Sequence, residues 1–159
     1  MGKPTDVART FLVVIDDSEE MSAALRYACR RARNTGGRVA LLRVIEPTEY
    51  HHFVRISELM QDEARDAAEQ LLSRLAAEVQ ATSGEIPVVY VREGNGRDAL
   101  LALLEEDPAI SVLVLAAGTG PEGPGPLVEA MSGRYVNRLH IPLTIIPGTL
   151  TNQEIDALS

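Results

Sequence analysis

FLVVIDDSEEMSAALRYACRRARNTGGRVALLRVIEP, residues 11–47, contains one full strand–helix–strand winding. FLVVI (11–15) is a short, continuous apolar run rich in β-branched residues, the pattern of a strand buried on both faces. It ends at Asp16-Asp17-Ser18, where Asp17 and Glu20 have the spacing of a capping box. Met21, Ala24, Leu25, Ala28, Cys29 and Ala32 then recur at helical intervals, and Thr35-Gly36-Gly37 closes the helix. RVALLRVI (38–45) is a second buried strand, stopped at Glu46-Pro47.

The same alternation continues outward. A polar, aromatic-bearing segment, EPTEYHHFVRI, leads to a long helix whose buried face is marked by Leu59, Ala64, Ala67, Ala68, Leu71, Leu75 and Val79, with Ser83-Gly84 as its stop. PVVYVRE (87–93) is a third strand, with proline at its first position, where no ladder donor is missed. GNGR (94–97) turns into the helix DALLALLEED, which Asp107-Pro108 ends; SVLVLAA (111–117) is the fourth strand. A helix from about Pro126 to Leu139 and a fifth strand, LTIIP (143–147), follow. Thr151 and Glu154 form a second capping-box spacing, which predicts a short terminal helix. The order β-α-β-α-β-α-β-α-β specifies one α/β domain built on a doubly wound parallel sheet. The expected division is an N-terminal extension (1–9), the domain (10–148) and a tail with a short helix (149–159).

Composition agrees with that class. The chain has 159 residues, 45% hydrophobic but only 4% aromatic with no Trp, so Val, Ile, Leu and Ala must build the core. A net charge of −8 argues against nucleic acid or an anionic membrane as partner. Lys3 is the only lysine, which excludes a Gly-Lys-Ser/Thr phosphate loop. Cys29 is alone on an apolar helical position and reads as a buried structural thiol, consistent with a reducing cytoplasm. MGKPTDVART has no signal-like apolar region, and no apolar run approaches the roughly 20 residues of a membrane span, so a soluble, unprocessed protein is expected.

In a doubly wound sheet, ligands sit beyond the carboxyl ends of the strands where the strand order reverses. The candidates there are Asp16, Val44 and Ile45, Glu93 and Gly94, and the loop 116–125. In that loop, Gly118, Gly120, Gly123 and Gly125 alternate with Pro121, Pro124 and Pro126. Glycine amides ahead of a helix suit phosphate, but proline has no amide to offer. The same Gly/Pro alternation could equally serve as a rigid turn, so both readings stand.

FLVVIDDSEEMSAALRYACRRARNTGGRVALLRVIEP and EGNGRDALLALLEEDPAISVLVLAA together resemble the universal stress protein (UspA) family, and the resemblance runs from about Thr10 to Pro147. It implies a Rossmann-like five-stranded parallel sheet in order 3-2-1-4-5 with helices on both faces. It also implies a homodimer paired through the last strand, here Leu143, Thr144, Ile145 and Ile146. An apolar, β-rich edge should not stay unpaired in any case. One branch of that family binds ATP through Gly-x2-Gly-x9-Gly-Ser/Thr after strand four; the other has lost the pattern. Here Gly120, Gly123 and Gly133 keep the spacing, but Arg134 replaces the hydroxyl residue. Counting back from LHIPLTIIP instead puts that turn near Ala130-Met131. By the resemblance, Asp16 would line the ribose and the backbone of Val44 would meet adenine.

The leading expectation is therefore a non-enzymatic, dimeric stress-response protein acting through an unidentified protein partner, with the nucleotide site degenerate or altered. The alternative is an ATP- or AMP-binding sensor or weak ATPase using Asp16, Val44, Gly118, Gly120, Gly123, Gly133 and Arg134. His51-His52 near Glu49 and Glu58 reads as a solvated loop rather than a metal site, because adjacent side chains point apart. His140 reads as a polar contact, RRAR (30–33) as the solvated face of a helix, and no nucleophile–base signature is present.

Overall fold

Alternation along the first strand sets up the architecture. In the computed structural model, which describes residues 8–47 and 54–159, Phe11, Val13 and Ile15 project into one apolar layer and Leu12 into the other. β1 (Thr10–Val14) is the central strand, pairing in parallel with β2 (Arg38–Ile45) on one side and β4 (Ile110–Ala117) on the other. β3 (Val88–Glu93) adds outside β2 and β5 (Leu143–Pro147) outside β4, giving the five-stranded parallel order β3-β2-β1-β4-β5. The reversal of strand order lies between β1 and β4.

α1 (Met21–Thr35) and α2 (Val54–Ser83) cover the first face, where Ala28, Cys29 and Ala32 meet Leu72, Leu75 and Val79. α3 (Gly96–Glu106) and α4 (Pro126–Ser132) cover the second, through Leu100, Leu103, Val128 and Met131. This segregation follows from right-handed crossovers that advance in opposite directions from the centre of the sheet. α5 (Asn152–Leu158) joins the first face: Ile155 is buried there, and Asp156 takes two 2.7 Å hydrogen bonds from the Arg26 guanidinium of α1.

Several local expectations are corrected. The Asp17–Glu20 capping box does not form: Glu20 occupies the N-cap of α1 with no side-chain cap bond. Asp17 instead pairs with Arg43 at 3.3 Å, and Asp16 Oδ1 accepts from Ser18 N at 2.9 Å. The helix expected over 126–139 stops at Ser132, because the backbone at Gly133 departs from helical geometry (ψ −112°); only a short 3₁₀ turn, Val136–Arg138, continues.

Leu59 and Ala67 are exposed rather than buried. α2 has 30 residues and is about 45 Å long, whereas the 8-residue β2 spans only about 26 Å. Its first turns therefore overhang the carboxyl edge of the sheet instead of packing on it. The terminal helix forms with its capping box complete, Glu154 N reaching Thr151 Oγ1 at 3.2 Å and Thr151 N reaching Glu154 Oε1 at 3.1 Å. His51, His52, Glu49 and residues 1–7 lie outside the described residues. Among those described, no helix is long and apolar enough to cross a membrane.

Candidate functional site

Where β1 and β4 diverge, their carboxyl-end loops open a cleft of roughly 1320 Å³. The overhang of α2 forms one wall through Ala64, Ala67, Ala68 and Leu71; the start of α3 and the glycine-rich loop form the others. Of the residues expected at a site, Asp16, Val44, Gly118, Gly120 and Gly123 all line this cleft. Gly133 and Arg134 are not among its lining. Arg134 lies over the Tyr135 ring at 6.0 Å, and on the same ring Arg97, which does line the cleft, sits at 4.8 Å. Glu93 is likewise outside, in an ion pair with Arg65 at 2.7 Å.

The backbone of Val44 faces the cleft for a definable reason. The carbonyl of Leu42 accepts from Ile15 N on the β1 side, and that of Ile45 accepts from Gly94 N on the β3 side. Alternation along β2 therefore turns Val44 toward β1, which has already ended at Val14. Arg43 reaches across this gap: one guanidinium nitrogen donates to Ile15 O at 3.1 Å and another to Asp17.

The loop 118–125 is folded on itself. Gly118 N donates to Pro124 O at 2.9 Å, and Gly123 N donates to Gly120 O at 3.2 Å. Gly123 (φ 90°) and Gly125 (φ 112°) adopt left-handed backbone that side chains resist. Gly120 differs, having neither a positive φ nor any atom within 4 Å of where a Cβ would stand. Its missing side chain leaves open space in the cleft wall. Met131 is fully buried and Ser132 Oγ donates to Val128 O at 2.5 Å, so the hydroxyl at the end of α4 is occupied within its own helix. Gly133 is required locally, since a Cβ there would stand 2.7 Å from the carbonyl of Glu129.

The charge of the cleft is mostly negative. Asp16, Asp17, Glu19, Glu20, Glu46 and Glu122 line it, against Arg43, Arg74 and Arg97. Arg43 and Arg97 were not expected at the cleft, and Glu20 was read only as a helix cap. Arg97 sits in the GNGR turn after β3, a position that could have marked it, whereas nothing in sequence spacing signals Arg43 or Glu20. Asn95, at the N-cap of α3, accepts from Arg97 N and Asp98 N, which fixes the turn that presents Arg97. Among the described residues, the thiol, phenol and carboxyl with displaced pKa lie elsewhere. Burial and then the Asp107 hydrogen bond push Tyr90 up to about 12, burial pushes Cys29 up to about 11, and the Arg26 hydrogen bond holds Asp156 low. No group of three potential metal ligands occurs among the described residues.

The universal stress protein family model matches residues 8–147. The chain belongs to the universal stress protein family. This universal stress protein is similar in fold to UspA from Lactobacillus plantarum (18% identity, TM-score 0.75, covering 87% of this chain and 97% of that one). A universal stress family protein from Burkholderia pseudomallei is similar at 19% identity and TM-score 0.68, covering 91% and 99%. A family protein from Arabidopsis thaliana with AMP bound is similar at 13% identity and TM-score 0.60, covering 87% and 91%. No curated protein matches it by sequence. Its family match ends at Pro147, so α5 lies beyond the matched segment.

Proposed function

We propose that this universal stress protein is a non-enzymatic, dimeric stress-response protein that acts through a protein partner, its cleft an adenine-nucleotide site altered at the phosphate end. The observation that carries this is the loop itself. The amides of Gly118 and Gly123 are spent on Pro124 and Gly120 within the loop, and its prolines have no amide. A polyphosphate therefore loses those two amides as donors and meets the carboxylates that line the cleft. At the other end of the cleft the backbone of Val44 is turned past the end of β1, beside Arg43, where a purine edge would pair with it. The dimer would form along β5 through Leu143, Thr144, Ile145 and Ile146, since α5 packs against α1 and leaves Ile145 36% exposed.

A second reading, a nucleotide sensor or weak ATPase binding ATP or AMP, is favoured by Gly120 and by the AMP held in the Arabidopsis neighbour. It would use Asp16, Val44, Gly118, Gly120 and Gly123, with Gly133 and Arg134 behind them. Titration calorimetry with ATP, AMP and ADP at millimolar concentration, beside a known nucleotide-binding member as control, separates the two. The leading reading expects no ATP saturation below the millimolar range; saturable ATP binding in the micromolar range favours the sensor.

A further inference from the structure

Glu20 is the N-cap residue of α1, yet its carboxylate caps nothing; it is directed across the strand-order reversal onto the glycine-rich loop. Its Oε1 lies 3.1 Å from where a Cβ on Gly118 would stand. Its own Cβ lies 2.9 Å from the corresponding point at Gly148, so the residue packs closely over that glycine. At the far end of the loop, Glu129 places Oε1 3.1 Å from the equivalent point at Gly123. Neither carboxylate is ion-paired among the described residues. Of the cleft arginines, Arg43 is engaged with Asp17 and Ile15 O and Arg97 with Asp98 and Tyr135, while Arg74 stands on the α2 wall.

We propose that Glu20 and Glu129 are specificity determinants that exclude phosphate from the loop, so that the cleft takes an uncharged nucleoside in preference to its nucleotides. The inference rests on the reading of the cleft as an altered nucleotide site. A terminal phosphate seated at Gly118–Gly123 would lie beside the Glu20 carboxylate in the cleft wall, with the exposed Glu129 carboxylate against the same loop outside the cleft lining, and like charges brought that close repel. An uncharged nucleoside stops short of them while keeping the Val44 edge and the open wall at Gly120. Glutamine at both positions preserves shape and removes the charge.

The experiment measures adenosine, AMP and ATP affinity by calorimetry for the wild-type chain, E20Q, E129Q and the double variant, with thermal melts to show that all are folded. Wild type should bind adenosine about tenfold or more tighter than ATP, and the double variant should close that gap by about tenfold with adenosine affinity unchanged. Raising salt should narrow the wild-type gap, which a purely structural role for Glu20 would not do. A wild-type chain that prefers ATP, or a double variant with an unchanged adenosine-to-ATP ratio, overturns the inference while leaving the cleft as a nucleoside site. Failure of the wild-type chain and every variant to bind any of the three ligands removes the underlying reading as well.

Discussion

Cys29 lies on the inner face of α1, 2% exposed, with its pKa pushed up to about 11 first by burial and then by the charge of Glu78. A thiol so placed is neither ionised nor reachable at neutral pH. A disulfide reagent at pH 8 should therefore leave the native chain unlabelled and react fully only in denaturant; rapid labelling of the folded protein would contradict the burial. Helical spacing alone made this residue legible. Asp17 and Glu20 were less so, because their spacing describes a local cap while their actual surroundings are tertiary. Asp17 meets Arg43, 26 positions away, and Glu20 leans on a loop whose residues are about a hundred positions off. Asp16, Val44 and Gly120 could be placed at the cleft because strand ends are readable in the sequence. Arg43 was hidden inside a strand pattern that gives no sign of which side chain reaches over the edge.

At the scale of elements, α5 is the clearest success of local reading, since its capping box needs only residues three apart. Thr151→Ala should remove the hydroxyl that Glu154 N uses and cost about 1 kcal/mol, measured as a lower denaturant midpoint at unchanged slope. An unchanged midpoint would mean that α5 contributes nothing to the cooperative unit. The extent of α2 was not legible in the same way. Apolar periodicity shows which face is greasy, but not where the sheet beneath it stops, so Ala67 was assigned to the core although it faces the cleft. The small side chains at Ala64, Ala67 and Ala68 make sense only with the overhang in view: they keep that wall thin. α4 was overextended for a related reason, because Gly133 reads as a tolerated helical residue until the proximity of the Glu129 carbonyl is seen.

For the molecule as a whole, alternating elements pointed to a parallel sheet, but strand order came from family resemblance, since sequence periodicity cannot say which strand lies beside which. The edge at β5 carries the quaternary prediction. Light scattering at micromolar concentration should report a dimer, and Ile145→Lys, which places a charge on the exposed edge, should yield a monomer. A wild-type chain that scatters as a monomer would remove the β5 pairing. The two apolar layers have a final consequence. β1 supplies Phe11 and Val13 to one and Leu12 to the other, so a change in that strand is felt on whichever side it falls and has little room for neutral variation. The carboxylates and glycines of the cleft hang on loops outside both layers. Substitutions among those carboxylates can therefore change the charge of the cleft while leaving the folding free energy nearly untouched, whereas Gly123 and Gly125 are held to glycine by their backbone.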